Sequence, residues 1–321
     1  MKKNIKIICT LGPRSLNKQF LEFSKNKVSL LRLNMSHLNL RNLEKSIKFI
    51  KKYTKIPICI DTEGAQIRIK TRKEKFFRMH QKIKIAKTNG FINLYPDFVY
   101  EKIKVNDILN IGFQNLKLKV VKKKKIILCK VLSSGRLENN KGVHIENRKI
   151  KLNYLTKKDF AAIKIGKKFK IKNYALSFTN STNDIVKFNS LLKNKNKIFK
   201  IENLEAIKNL KSIIKKGNYF LIDRGDLSKD VRVENIPIIQ RKIFKLKEKF
   251  KNKKIFVATN LLESMVESSY PNRGEANDIF NSLEMGADGL VLAAETAIGK
   301  YPKDVVLFLQ KMIKVFKKNK Y

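Results

Sequence analysis

The chain is short of cysteine, of acid and of long apolar runs. Three cysteines are scattered over 321 residues, Cys9, Cys59 and Cys129. None has a neighbour at metal-ligand spacing, which excludes a cysteine zinc site or a disulfide-built scaffold. Cys9 and Cys59 sit inside apolar segments, so buried free thiols in a reducing compartment, the cytoplasm, are expected. No apolar run approaches the roughly 20 residues of a membrane span. Met1-Lys2-Lys3 opens like a signal peptide, but Lys6 breaks the apolar segment and Gly12-Pro13 ends it. Residues 5–11 therefore read as a strand of the mature fold. Acidic residues number 27 against 72 basic, a net charge of +45. The lysines are spread along the whole chain and no nucleic-acid recognition motif accompanies them, so specific nucleic-acid binding is not expected. Such a surface still draws in phosphorylated substrates.

What is present is an ordinary 43% of hydrophobic residues, arranged with a clear rhythm. Short apolar runs recur, most of them followed by an amphipathic helical pattern. The first three are Ile5–Leu11, Ser29–Asn34 and Ile56–Ile60. A helix with Leu43, Ile47 and Ile50 on one face follows the second. From about residue 67 to 150 the pattern changes to alternation broken by polar turns, which reads as an all-β insert. Near Thr156 the rhythm returns, with Thr156 and Asp159 placed as cap and acidic third residue of a helix. Further strands are expected at Tyr174–Phe178, into Lys200, into Arg224, at Lys254–Thr259 and at Gly289–Ala294. A last helix, Asp304 to Phe316, carries Val305, Phe308, Leu309 and Met312 on its face. The pattern predicts an α/β protein, a (β/α)8 TIM barrel with a small all-β barrel inserted after strand three. The expected boundaries are 1–66 and 151–321 for the barrel and 67–150 for the insert.

In such barrels the chemistry sits at the C-terminal ends of the strands. Lys200 and Glu202 are two apart on one strand and leave it on the same face. Asp226 follows the next strand. One cation with two carboxylates suits a hard divalent metal beside an anionic substrate, or a salt bridge that closes two strands. The wider set of polar groups at the strand ends includes Thr10, Arg32, Asn34, Ser36, Asp61, Thr62, Arg68, Thr259 and Glu295. Its richness in cations and carboxylates favours a phosphate-plus-metal site.

Ordered motifs over nearly the whole chain resemble the pyruvate kinase family. They are Ile8-Cys9-Thr10-Leu11-Gly12-Pro13, Arg32-Leu33-Asn34-Met35-Ser36-His37, Asp61-Thr62-Glu63-Gly64, Asn140-Lys141-Gly142-Val143, Lys200-Ile201-Glu202-Asn203 and Arg224-Gly225-Asp226-Leu227. Ala258-Thr259, Leu262-Glu263-Ser264-Met265, Pro271-Asn272-Arg273-Gly274-Glu275-Ala276 and Gly286-Ala287-Asp288 continue the series. The resemblance implies transfer of a phosphoryl group from phosphoenolpyruvate to ADP, giving pyruvate and ATP. It implies Mg2+ or Mn2+ on Glu202 and Asp226, and K+ on Asn34, Ser36, Asp61 and Thr62. Lys200, Arg32 and Thr259 would be catalytic. Arg32, Lys200, Gly225, Asp226 and Thr259 would hold the substrate, and Pro13, Asn34, His37 and Lys141 the nucleotide. An oligomer, if formed, would use the barrel surface near Arg273.

The sequence departs from the family pattern in places. Glu63, Ala65 and Gln66 replace the usual lysine, proline and acid. The insert's usual Asp-Asp-Gly aligns with Gly112-Phe113-Gln114, which loses a carboxylate. The chain stops just after its eighth helix, so the family's C-terminal effector domain is expected to be absent. Two other readings follow from these changes: a divergent barrel enzyme on phosphoenolpyruvate or another 2-oxo acid with weak ADP use, and a non-catalytic ligand-binding relative.

Overall fold

The computed structural model describes residues 4–319 apart from 89, 113–115 and 251. It divides into two compact units, one of Met1–Gly64 with Lys157–Tyr321 and one of Ala65–Thr156. The first contains eight parallel strands: β1 (Lys6–Thr10), β2 (Leu30–Asn34), β3 (Ile58–Asp61), β4 (Asn173–Leu176), β5 (Asn196–Ile201), β6 (Tyr219–Asp223), β7 (Lys254–Ala258) and β8 (Gly289–Leu292). Each pairs with its sequence neighbours, and β8 closes on β1. The α/β barrel expected from the rhythm is therefore present, and the second unit is a smaller, closed β barrel of seven strands.

The strands are near-continuous apolar runs because both of their faces are covered. One face carries the interior layer: Ile8, Leu30, Cys59, Ala175, Ile198, Leu221, Phe256, Ala258 and Val291. The other faces the helices. The helix Leu40–Tyr53 buries Leu43, Ser46, Ile47 and Ile50, one side of a 3.6-residue period, and Asn39 caps it by accepting from the Asn42 N–H. Capping boxes open Thr182–Leu191, through Ser181 and Asp184, and Arg273–Glu284, through Asn272 and Glu275.

Two local expectations need correction. The last helix, Pro302–Lys318, buries Val305, Val306, Leu309, Ile313 and Phe316. Phe308 and Met312 lie half-buried at the edge of that stripe. The eighth strand ends at Leu292, and Ala294–Ala297 already forms a helical turn. Asp159 does sit in the first turn of its helix, Lys157–Lys168. However, its carboxylate accepts from the N–H groups of Glu63 at 2.7 Å and Gly64 at 3.0 Å, tying the end of β3 to that helix.

The second unit has its own core, with Ile69, Ile85, Leu109, Leu118, Val120 and Ile127 among the fully buried residues. Alternation along Leu116–Lys123 puts Leu116, Leu118 and Val120 inside. Its helix Val99–Lys102 is a single turn.

Candidate active site

Two residues beyond the interior layer the barrel changes character. Side chains at i and i+2 on a strand share a face. Above Ile8, Leu30, Cys59, Ala175, Ile198 and Leu221 therefore stand Thr10, Arg32, Asp61, Ser177, Lys200 and Asp223, all at the C-terminal ends of their strands. Six neighbouring strands turn from apolar to polar at the same step, and every one of these six side chains is buried.

Lys200 is the hub. Its Nζ lies 2.6 Å from Glu202 Oε1, 3.2 Å from Asp61 Oδ2 and 3.4 Å from Asp223 Oδ2. It also donates to Ser177 Oγ at 3.3 Å. Arg32 is the second cation. Its Nε donates to Asp61 Oδ2 at 2.7 Å and its Nη1 to the Thr10 hydroxyl at 2.9 Å. Glu202 is fixed from the far side by the Phe178 N–H, which donates to Oε2 at 2.6 Å.

Burial alone would lower the Lys200 pKa, but Asp61, Glu202 and Asp223 outweigh it and hold the ammonium above its ordinary value. Burial likewise opposes the charge on Arg32 and is overcome chiefly by Asp61. Burial would raise the Asp61 carboxyl, yet Lys200 and Arg32 bring it below the usual range. Glu202 goes the other way. Burial raises it, Lys200 offsets only part, and Asp223 and Asp226 push it further up. Two buried cations face three buried carboxylates, and Glu202 is the carboxyl pushed toward its protonated form.

Glu202, Asp223 and Asp226 each offer an oxygen, all within 4.8 Å of one another. Glu202 Oε1 is buried beside the Lys200 ammonium. A surplus of clustered hard oxygen donors fits a divalent cation such as Mg2+ or Mn2+. The oxygen donors of the expected potassium set are hydrogen-bonded within the protein. Asn34 Oδ1 accepts from the Ser36 N–H at 3.0 Å, and Thr62 Oγ1 accepts from the Ser177 N–H at 3.0 Å. Asp61 is engaged by Arg32, Lys200 and Ser177.

Thr259 stands at the end of β7 with φ +68°, and Asn260 follows at +54°. Left-handed backbone is costly for a β-branched residue. Arg224 holds it: Nε and Nη2 donate to the Thr259 carbonyl at 3.1 and 2.6 Å, while Nη1 donates to both Asp278 oxygens. The Thr259 hydroxyl in turn accepts the Gly225 N–H at 2.8 Å. Asp226 lies 2.5 Å from Lys229 Nζ at the rim.

Of the residues singled out in the sequence, Arg32, Asp61, Thr62, Lys200, Glu202, Gly225, Asp226 and Thr259 come together at this end of the barrel. Asn34 ends β2, Ser36 lies on the turn after it, and Pro13 and His37 are exposed on the loops that leave β1 and β2. Lys141 and Arg68 belong to the second unit, where Lys141 pairs with Glu138 at 3.2 Å and Arg68 donates to the Asn140 carbonyl. Glu63 is buried, with Lys158 Nζ 3.8 Å away. Glu295 caps its own turn, accepting from the N–H groups of Ala293 and Leu262. Arg273 is exposed. Phe113 and Gln114, where the lost carboxylate was placed, lie outside the described residues. Two site residues were missed, Ser177 and Asp223. The i, i+2 rule that paired Lys200 with Glu202 finds both, applied to Ala175 and Leu221.

Residues 2–306 match the family model described as the pyruvate kinase barrel domain. The chain belongs to the pyruvate kinase family. It is 30% identical to the pyruvate kinase of Thermotoga maritima, over 97% of this chain and 71% of that one. It is 32% identical to the pyruvate kinase of Methanocaldococcus jannaschii, over 98% of this chain and 70% of that one. Against pyruvate kinase isozyme G, chloroplastic, of Nicotiana tabacum the identity is 30%, and the chain covers 57% of that relative's length. No helix among the described residues is long and apolar enough to cross a membrane.

Proposed function

We propose that the protein is a pyruvate kinase, moving the phosphoryl group of phosphoenolpyruvate to ADP in glycolysis. The observation that carries this is Lys200, a buried ammonium shared by three carboxylates at the catalytic end of the barrel. A cation held charged in a site closed to water is suited to the charge that develops when a phosphoryl group leaves an enol oxygen. The P–O bond to that oxygen breaks, a bond to a terminal ADP oxygen forms, and the enolate takes a proton at carbon to give pyruvate. Lys200 and Arg32 neutralise the phosphoryl and enolate oxygens. Gly225 and Asp226 turn their N–H groups to the substrate carboxylate, which replaces Thr259 as the acceptor for Gly225. The Thr259 hydroxyl, so released, lies on the path of the incoming proton. A divalent cation, when bound by Glu202 and Asp226, supplies charge neutralisation at the phosphoryl oxygens. Pro13, Asn34 and His37 are our assignment for ADP, and the three buried thiols support a place in the cytoplasm.

A second reading is a divergent barrel enzyme on phosphoenolpyruvate or another 2-oxo acid, with weak use of ADP. Glu63, an acid where the family usually has a lysine, favours it. One assay separates the two. The protein is given phosphoenolpyruvate, ADP, Mg2+ and KCl, and pyruvate is followed beside a Lys200→Ala control. ADP-dependent pyruvate above the control supports a pyruvate kinase. Pyruvate without ADP dependence supports the second reading, and no pyruvate above the control removes both.

A further inference from the structure

Asp223 is the residue that unbalances the site. Leu221 belongs to the interior layer, so Asp223, two residues on, faces the same rim as Lys200. It is 6% exposed. One carboxylate oxygen lies 3.4 Å from Lys200 Nζ. The other takes the Thr259 hydroxyl at 3.3 Å and the Asp226 N–H at 3.5 Å. With Asp61 and Glu202 alone, the buried carboxylates would match Arg32 and Lys200 two against two. Asp223 makes them three against two. A surplus buried charge is costly unless something binds it. One carboxylate oxygen from each of Glu202, Asp223 and Asp226 lies within 4.8 Å of the others, close enough to share one cation.

We infer that Asp223 is a third carboxylate of the divalent-cation site, so that Mg2+ or Mn2+ is held by three acids. This rests on Glu202 and Asp226 being the metal pair of the proposed function. Two consequences follow from charge. The cation is bound more tightly than by two acids. The loaded cluster also presents one positive charge fewer to an anionic substrate.

The test is a titration of the full chain with Mn2+ alone, in which free Mn2+ is followed by its electron paramagnetic resonance signal. Asp223→Asn keeps the shape and the acceptor that caps the next helix. It is expected to weaken Mn2+ binding by about tenfold or more. The same variant, free of metal, is expected to melt no lower than the parent protein, because the surplus charge is gone. Glu202→Gln is the companion and should weaken binding as well. Should Asp223→Asn bind Mn2+ within about twofold of the parent while Glu202→Gln loses it, Asp223 is no ligand and the inference falls alone. Unchanged binding in both variants overturns the metal reading itself. Asp223→Ser, also a good cap, replaces the Asn variant if that does not fold.

Discussion

Lys200 Nζ and Glu202 Oε1 stand 2.6 Å apart in the interior of the barrel, and the site pushes both groups toward their protonated forms. An isolated ion pair would move the two pKa values apart. Here the lysine is shared by three carboxylates and the glutamate faces two other acids, so both values move up. Lys200→Met therefore removes the one cation that three carboxylates share. It is expected to cost about 3–5 kcal/mol of stability, the scale for breaking a buried pair, and to abolish turnover. Urea unfolding of the variant checks the first effect independently of the second.

The raised Glu202 carboxyl sets a pH dependence whose sign can be worked out. Burial is the main cause, with Asp223 and Asp226 adding to it. The folded state then holds a proton that the unfolded state gives up near the ordinary glutamate value of about 4.3. Between the unfolded and folded pKa values the native state binds more protons, so this group's contribution to stability falls as pH rises. A bound cation displaces that proton. The rise in melting temperature produced by Mn2+ is therefore expected to be larger at pH 8 than at about pH 6. Scans with and without Mn2+ at both values measure it, and the Glu202→Gln variant should show no such difference.

Thr259 combines a strained backbone with a hydroxyl hydrogen-bonded inside the site. Its φ of +68° costs an L-residue about 1–2 kcal/mol, while its Oγ1 accepts the Gly225 N–H. Thr259→Ala keeps most of the strain and loses the hydroxyl, so turnover is expected to fall by about 100-fold. Thr259→Ser should retain most of the activity. Thr259→Gly should be more stable than Thr259→Ala by about 1 kcal/mol and equally inactive. Parallel kinetics and unfolding of the three variants separate hydroxyl from backbone.

Gly64 is fixed by both conformation and space. Its φ is +70°, and an added Cβ would lie 2.7 Å from Ser177 Cβ and 2.8 Å from the Ser177 carbonyl oxygen. Ser177 bonds Asp61, the Thr62 carbonyl and Lys200, so the clash reaches the site. Gly64→Ala is expected to destabilise by about 2 kcal/mol or more and to lower activity even in the folded fraction. Unfolding together with kcat of the soluble variant tests this.

The barrel was legible because apolar strands and amphipathic helices repeat at distinct periods, and the site because Lys200 and Glu202 end one strand on one face. Asp223 was harder to see. It sits one step before the Arg224-Gly225-Asp226 motif and looks like the polar end of an apolar run, Phe220-Leu221-Ile222. Only register against Ala258 and the inward parity of Leu221 put it at the rim. Ser177 hid in the same way after Ala175. The role of Asp159 was out of reach, since a helix-opening acid usually serves its own helix, whereas this one holds residues about a hundred positions away. The final helix went slightly wrong because Phe308 and Met312 are apolar on its flank as well as on its buried stripe.

Phosphorus NMR follows phosphoryl transfer to ADP directly. The protein is mixed with phosphoenolpyruvate, ADP and Mg2+, and the phosphorus resonances are followed beside a Lys200→Met control. The phosphoenolpyruvate signal is expected to fall in step with the growth of the γ-phosphate signal of ATP, with no change in the control. Loss of phosphoenolpyruvate into inorganic phosphate, or no loss beyond the control, would contradict phosphoryl transfer to ADP at Lys200.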